Sequence, residues 1–109
     1  MRIVFDQGTP VPIRYYLEPH TIRTVAQQGW DKLANGDLLI AAEEAGFDLL
    51  LTTDKNMRYQ QNLVSHRIAV VVLSRQQWPQ LRPHIERVID AVNATEPGSY
   101  VEVHVPFEE

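Results

Sequence analysis

Three aspartates are placed where their carboxylates could share a metal ion. Asp6 ends an apolar run at the start of the chain, Asp54 ends a second apolar run, and Asp37 opens an amphipathic stretch between them. Like charges at close range repel, and a bound cation relieves that repulsion. Mg²⁺ and Mn²⁺ take carboxylate oxygens and waters, and can activate a water towards a phosphodiester. The pattern predicts a Mg²⁺ or Mn²⁺ site in which Asp6, Asp37 and Asp54 are the metal ligands and the catalytic residues.

Each of these acids also has a purely structural interpretation. An aspartate that precedes a helix accepts hydrogen bonds from the first free amides, which suits Asp6 and Asp54. Asp37 is also a favourable charge near a helix N-terminus. Only the convergence of the three carboxylates on one place distinguishes a metal site from three local roles.

Polar residues that follow Asp54 could hold a substrate. Lys55, Arg58 and, further along the chain, Arg67 could bind phosphate oxygens. Asn56 could offer a neutral oxygen to the metal or hydrogen-bond one of its waters. Lys55, Asn56 and Arg58 are therefore the predicted substrate-binding residues.

Three other acids are expected away from the site. Glu43 and Glu44 lie toward the C-terminal half of their predicted helix, so that either would join the site only if the helix tilts. Asp48 starts a strand at the opposite edge of the predicted sheet.

Apolar runs and turn residues predict the elements that would position these side chains. Strands are expected at residues 2–6, 21–25, 47–54, 68–73 and 100–105, the last at a sheet edge. Helices are expected after Thr9, whose hydroxyl could cap the first turn, and at 37–45 and 79–92, and a short polar helix or turn is expected at 57–63. This alternation predicts a three-layer, doubly wound α/β fold with a mainly parallel sheet of about five strands. Asp6 and Asp54 would then lie beyond the carboxyl ends of strands, where such sheets bind ligands.

Composition limits the class of protein. A chain of 109 residues, 44% hydrophobic and 22% charged, suits one globular domain at residues 1–109. It has no apolar run of the roughly 20 residues that span a bilayer, and no N-terminal leader pattern, so we expect a cytoplasmic protein without a membrane partner. The absence of cysteine excludes disulfides and thiolate ligands, and the four histidines lack metal-ligand spacing.

Charge is distributed unevenly along the chain. The net charge of −4 argues against a basic nucleic-acid coat protein. However, residues 37–54 hold five acids and no base, whereas residues 55–87 hold six bases and one acid. Adjacent acidic and basic segments would suit a metal-assisted phosphodiester site, although solvated surfaces also produce such runs.

Three blocks of the sequence resemble the PIN-like domain family of small bacterial proteins. They are Phe5-Asp6-Gln7-Gly8, the segment from Asp37-Leu38-Leu39 to Glu43-Glu44-Ala45-Gly46, and Leu51-Thr52-Thr53-Asp54-Lys55-Asn56, and they lie within roughly residues 1–75. The resemblance implies a relationship to ribonucleases, many of them toxins of toxin–antitoxin pairs, that use a quartet of acids with Mg²⁺ or Mn²⁺. Asp6 matches the first acid, Asp37 the helix acid and Asp54 the acid after the strand. Asn56 departs from the pattern, since many relatives have a second aspartate there.

These observations leave several functions open. The first is a toxin-like, metal-dependent endoribonuclease that hydrolyses RNA phosphodiester bonds and has an antitoxin-like protein partner. The alternative, favoured by Asn56, is a catalytically inactive PIN-like module that binds nucleic acid or protein. A phosphoacceptor signalling domain fits less well, because the chain has no acidic pair after the first strand and no lysine after a late one. The alternating last strand could also pair with a second copy, and we expect a homodimer.

Overall fold

Parallel strands form the centre of the molecule. The computed structural model describes residues 1–59 and 67–106, and within them the chain forms one five-stranded sheet. The strands are β1 (Arg2–Phe5), β2 (Thr21–Thr24), β3 (Leu49–Thr52), β4 (Ala69–Leu73) and β5 (Tyr100–Val103). The α-helices are α1 (Val25–Gln28), α2 (Asn35–Glu44), α3 (Trp78–Leu81) and α4 (Ile85–Ala94). Shorter 3₁₀ helices occupy Val11–Tyr16, Lys55–Tyr59 and Arg82–His84.

The order of the strands defines a topological switch point. The order is β2-β1-β3-β4-β5, and every adjacent pair is parallel. The chain therefore extends the sheet in one direction from β1 to β2 and in the other from β3 to β5. The predicted doubly wound, three-layer α/β fold is confirmed, and its switch point lies between β1 and β3.

Both faces of the sheet are buried, which explains the continuous apolar runs of the central strands. On one face, Phe5 and Leu51 belong to a core that includes residues of α4 and of the Val11–Tyr16 helix. On the other face, Val4 and Leu50 pack with residues of α2. Alternate residues of β1 and β3 thus anchor opposite layers, and the ends of these two strands are held from both sides.

The helix predicted at 79–92 is interrupted. The structure has α3, then the 3₁₀ turn Arg82–His84, and then α4. Pro83 lies in that turn, and a proline in a helix interior lacks an amide donor and clashes with the preceding turn. The apolar spacing correctly located the buried face of α4, since Val88 and Val92 are fully buried. It did not take account of Pro83, which interrupts the helix.

Two threonines act differently from the sequence prediction. Thr9 does not cap the following helix; its hydroxyl donates to the Leu51 carbonyl at 3.1 Å. Thr24 ends β2 one residue early, because its hydroxyl accepts from the Gln27 amide and the Gln27 side chain accepts from the Thr24 amide. This capping box starts α1 at Val25, a helix that the alternating apolar pattern did not predict.

The remaining elements agree with the sequence patterns. β5 lies at an edge of the sheet, with Val103 and Val105 buried and Glu102 and His104 exposed. The short helix or turn predicted at 57–63 corresponds to the 3₁₀ helix Lys55–Tyr59, and residues 60–63 lie outside the described residues. None of the helices described in the structure is long and apolar enough to cross a membrane.

Candidate functional site

Two of the three predicted site aspartates lie side by side at the switch point. Asp6 follows β1 and Asp54 follows β3 by two residues, and these strands pair in parallel with Phe5 opposite Leu51. The pairing continues one residue further, since the Asp6 amide donates to the Leu51 carbonyl at 2.9 Å. Both aspartates are therefore at the carboxyl edge of the sheet, where ligands of doubly wound folds bind.

Thr52 connects the two aspartates. Its side chain is fully buried, and its hydroxyl donates to Asp6 Oδ2 at 2.8 Å. The Thr52 hydroxyl oxygen in turn accepts a hydrogen bond from the Asp54 amide at 3.0 Å. One hydroxyl thus fixes the Asp6 side chain and the backbone from which the Asp54 side chain extends.

The remaining carboxylate oxygens also accept hydrogen bonds. Asp6 Oδ1 accepts from the Gln7 amide at 2.8 Å, and Asp54 Oδ1 accepts from the Asn56 amide at 2.9 Å. Asp54 Oδ2 accepts from Asn35 Nδ2 at 3.0 Å. These are local ordering roles of the kind that the structural interpretation expects. A carboxylate has about four acceptor sites, so both groups retain capacity for a cation.

The environment of Asp6 disfavours its charged form. Burial raises the pKa of this carboxyl above 3.8, the nearby Asp54 charge raises it further, and the hydrogen bonds from Thr52 and Gln7 partly oppose the rise. Burial is the main cause of the raised pKa, and the Asp54 charge makes a smaller contribution in the same direction. A divalent cation between the two groups would reverse the direction of this shift.

We predict that this shift is visible as a pH dependence of stability. In the unfolded chain Asp6 loses its proton near 3.8, and in the folded chain at a higher pH. Between these values the folded state holds more protons, so Asp6 lowers the free energy of unfolding as pH rises through the window. The Asp6→Asn variant has no ionisable group at this position, so its free energy of unfolding does not fall for this reason. In EDTA, urea unfolding at a series of pH values should show the stability of Asp6→Asn rising relative to wild type with pH and then levelling off. A constant or falling difference would contradict the prediction.

Buried polar side chains are concentrated at this edge. Among the described residues, those with polar side chains that are buried are Thr9, Thr52 and Thr53. Thr9 and Thr52 have the hydrogen bonds given above, whereas the Thr53 hydroxyl, on a residue only 7% exposed, has no partner within residues 1–59 and 67–106. A buried hydroxyl without a protein partner needs an explanation, and a ligand or ordered water supplies one.

A pocket opens where Thr53 is buried. It has a volume of about 460 Å³ and is lined by Gln7, Gly8, Thr53, Asp54, Lys55, Ser74 and Gln76. Gly8 has a φ of +83°, and a Cβ there would lie 3.2 Å from the Thr53 hydroxyl oxygen, so a side chain at position 8 would be strained and would crowd the pocket wall. Lys55 and Ser74 also line a second pocket of about 190 Å³ near the end of β5. The two pockets therefore adjoin at Lys55 and Ser74.

The structure does not place Asp37 in this hydrogen-bond network. Asp37 is exposed in the first turn of α2, where its charge is favourable, and the α2 side chain that contacts Asp54 is Asn35. No cluster of three acidic, histidine or cysteine side chains able to hold a metal is present in the described part of the chain. The site that the geometry supports has two carboxylates and one neutral amide.

The three predicted substrate-binding residues occupy different positions. Lys55 lines the pocket, and Asn56 contributes its backbone amide to Asp54 while its side chain is exposed. Arg58 lies close enough to Tyr100, the first residue of β5, for its charge to lower the pKa of that phenol, which burial and Glu102 raise overall.

Glu43 and Asp48 are held away from the site. The Glu43 carboxylate accepts the amides of Arg67 and Ile68, just before β4. Asp48 Oδ2 accepts the Arg2 amide at 2.8 Å, where β1 begins. Both contacts lie at the amino edge of the sheet, as predicted for Asp48, and they give Glu43 a structural role.

Sequence reasoning missed two site residues. Asn35 precedes the predicted helix 37–45 and carries no signal of its own in the sequence, and the structure places it in the first turn of α2 with its amide on Asp54. Thr53 had been treated only as strand sequence. The chain is thus an all-parallel, doubly wound α/β protein with an aspartate pair at its switch point. Comparisons with family models, curated proteins and solved structures returned no match.

Proposed function

We propose that the protein is a Mg²⁺- or Mn²⁺-dependent endoribonuclease of the PIN-like kind, with Asp6 and Asp54 as its metal ligands. The observation that carries the proposal is that two carboxylates from distant parts of the chain meet at the switch point, where one of them has a raised pKa. Neither a helix cap nor a loop-ordering role requires two acids to be adjacent.

The donor set suits a hard divalent cation. Asp6 and Asp54 offer carboxylate oxygens, and the Asn35 side chain, now bonded to Asp54 through its nitrogen, carries a carbonyl oxygen nearby. Such a cation binds oxygen ligands and waters, neutralises the pair, and supplies Lewis-acid stabilisation to a phosphodiester. Thr52 holds the Asp6 carboxylate, and Asn35 with the Asn56 amide holds that of Asp54, so less reorganisation accompanies binding.

Residues around the pair could hold the substrate. Lys55 lines the pocket and would provide positive charge for a phosphate oxygen, and the Thr53 hydroxyl would provide a donor. Phosphate contact and charge neutralisation are the two requirements of phosphodiester hydrolysis that these side chains meet.

A second candidate is a binding module without catalysis. It is favoured by the neutral Asn56, where a fourth acid stands in many proteins that the sequence resembles, and by the exposed position of Asp37. Fewer carboxylates lower the negative charge of the site and weaken its hold on a cation. In this case nucleic acid would bind along the same edge and remain intact.

Metal titration and RNA cleavage together test the proposal. We expect Mn²⁺ at about 100 times its dissociation constant to stabilise the fold by about 2.7 kcal/mol. For a chain of this size that corresponds to a rise in Tm of about 10–20 °C. We also expect cleavage of a labelled single-stranded RNA that requires Mn²⁺ or Mg²⁺ and stops in EDTA. Stabilisation and RNA binding without cleavage would favour the binding module, and no response of Tm to millimolar metal would reject the metal site.

A further inference from the structure

Aromatic side chains follow closely in sequence on two segments that line the pocket beside Asp54. The rings of Tyr16 and Trp78 are in contact, with centroids 5.7 Å apart and an interplanar angle of 45°. Tyr16 is 41% exposed and Trp78 is partly buried, while Tyr15, in the same 3₁₀ helix, is 76% exposed. We call these three residues the aromatic platform. Two of its members are among the exposed large apolar residues of the described chain, so their exposure needs an explanation.

The platform residues follow closely in sequence on residues that line the pocket. Gln76 lines the pocket, and Trp78 is two residues further on, a separation of at most about 7 Å between Cα atoms. On the other side, Gly8 lines the pocket and the 3₁₀ helix that carries Tyr16 begins at Val11. Trp78 therefore lies close along the chain to one wall of the pocket, and the 3₁₀ helix that carries Tyr16 begins shortly after a residue of the other wall.

The charges around the platform complement a phosphate chain. Arg14 precedes Tyr15, and Arg82 follows α3, where its amide donates to the Trp78 carbonyl. In the described residues, neither guanidinium has a hydrogen bond or an ion pair with another side chain. Arginine next to exposed aromatic rings is a common arrangement in sites that bind single-stranded nucleic acid, where bases stack and phosphates pair with cations.

We propose that the pocket and the platform form a nucleotide subsite of the RNA-binding edge. A phosphate is held in the pocket by the Thr53 hydroxyl and the Lys55 ammonium, and the attached base stacks on the platform. This inference rests on the proposed function for the identity of its ligand. It also explains why the Thr53 hydroxyl has no partner among the described residues and why the Tyr16 ring is exposed beside Trp78.

The two halves of the subsite can be tested separately. The probes are a fluorescein-labelled single-stranded 10-mer RNA and the same ribose–phosphate chain without bases, and binding to the full chain is followed by anisotropy in EDTA. Tyr16→Leu should weaken binding of the base-bearing strand by about 5- to 100-fold, the range for loss of one base stack, and leave binding of the abasic strand unchanged. Thr53→Val should weaken binding of both strands by a similar factor, because the contact that it removes is to phosphate.

Matched variants separate these effects from misfolding. Tyr16→Phe keeps the ring and Thr53→Ser keeps the hydroxyl, so both should bind like wild type. Ile40→Ala, which removes an exposed aliphatic side chain from α2, should have no effect. In a Trp30→Phe background, emission of Trp78 should be quenched by the base-bearing strand alone. This background leaves the site intact, since Trp30 contacts Phe47 in the other core.

The possible failures are distinguishable. If the wild type cleaves RNA but Tyr16→Leu and Thr53→Val bind both strands normally, the subsite is wrong and the proposed function stands. If no metal response or cleavage is found, yet the strands bind with the expected pattern, the subsite stands and the proposed function fails. If Tyr16→Leu changes the oligomeric state and not RNA binding, the platform is a protein interface and the subsite is rejected.

Discussion

Replacing either aspartate of the pair by asparagine is expected to lower metal-dependent RNA cleavage by at least about 100-fold. Loss of a residue that merely orients a metal ligand costs about 10- to 100-fold, and Asp6 and Asp54 are proposed as the ligands themselves. Asp6→Asn should keep the fold, because asparagine can accept the same hydrogen bond from Gln7 and carries no charge to repel Asp54. Single-turnover cleavage of labelled RNA, together with the Tm in EDTA, measures both quantities.

Two further variants give this experiment its controls. Asp31→Asn changes an exposed acid in a turn, and it should leave the rate unchanged. Asp37→Asn decides between two versions of the site: a loss as large as that of Asp6→Asn would make Asp37 a third ligand, as the resemblance implies, and a rate within about threefold of wild type would restrict it to the helix N-terminus. Equal rates in wild type, Asp6→Asn and Asp54→Asn would assign the activity to a contaminant.

Removal of the Glu43 carboxylate is expected to be the largest change in stability among the acidic residues. Glu43 is partly buried at the end of α2 and accepts the amides of Arg67 and Ile68, so it ties this helix to the start of β4. Hydrogen bonds to a charged group contribute about 1.5–3 kcal/mol, and we expect Glu43→Ala to lower the free energy of unfolding by about 2–3 kcal/mol. Urea unfolding at pH 7 measures this difference.

The neighbouring residue provides a matched control. Glu44 is exposed in the same last turn of α2, where alanine has a similar effect on helix propensity and on the helix dipole. Glu44→Ala should therefore change the free energy of unfolding by less than about 0.5 kcal/mol. A similar loss in both variants would show that the terminus of the helix matters, and that the contacts to residues 67 and 68 do not.

The architecture was predictable because burial on both faces leaves a strong pattern. Leu49 to Leu51 and Ala69 to Leu73 are continuous apolar runs, and a sheet covered on both faces requires such runs. The helices were less predictable where one residue outweighs the periodicity. Pro83 divides the last helix in two, and Thr24 with Gln27 starts α1 through a reciprocal cap that apolar spacing does not reveal.

The sequence predicts the site residues that follow strands, and it does not predict those on helices. Asp6 and Asp54 follow buried strands, and parallel strands bring their carboxyl ends to one edge, so their meeting follows from the fold class. Side chains on helices are harder to place: α2 begins at Asn35 and not at Asp37, and a shift of two residues turns a helical side chain by about 200°. Thr53 lies against Gly8, which is far from it in the chain, and apolar periodicity gives no sign of that contact.

The aspartate pair also has a consequence for how the chain unfolds. Asp6 and Asp54 are nearly fifty residues apart in the sequence and are brought together by the pairing of β1 with β3. A cation held by both would be a removable cross-link around that long loop, and closing a long loop restricts the unfolded chain. Chelation would then remove this cross-link as well as stop catalysis. The segment between β1 and β3, which contains β2, α1 and α2, would become more susceptible to proteolysis.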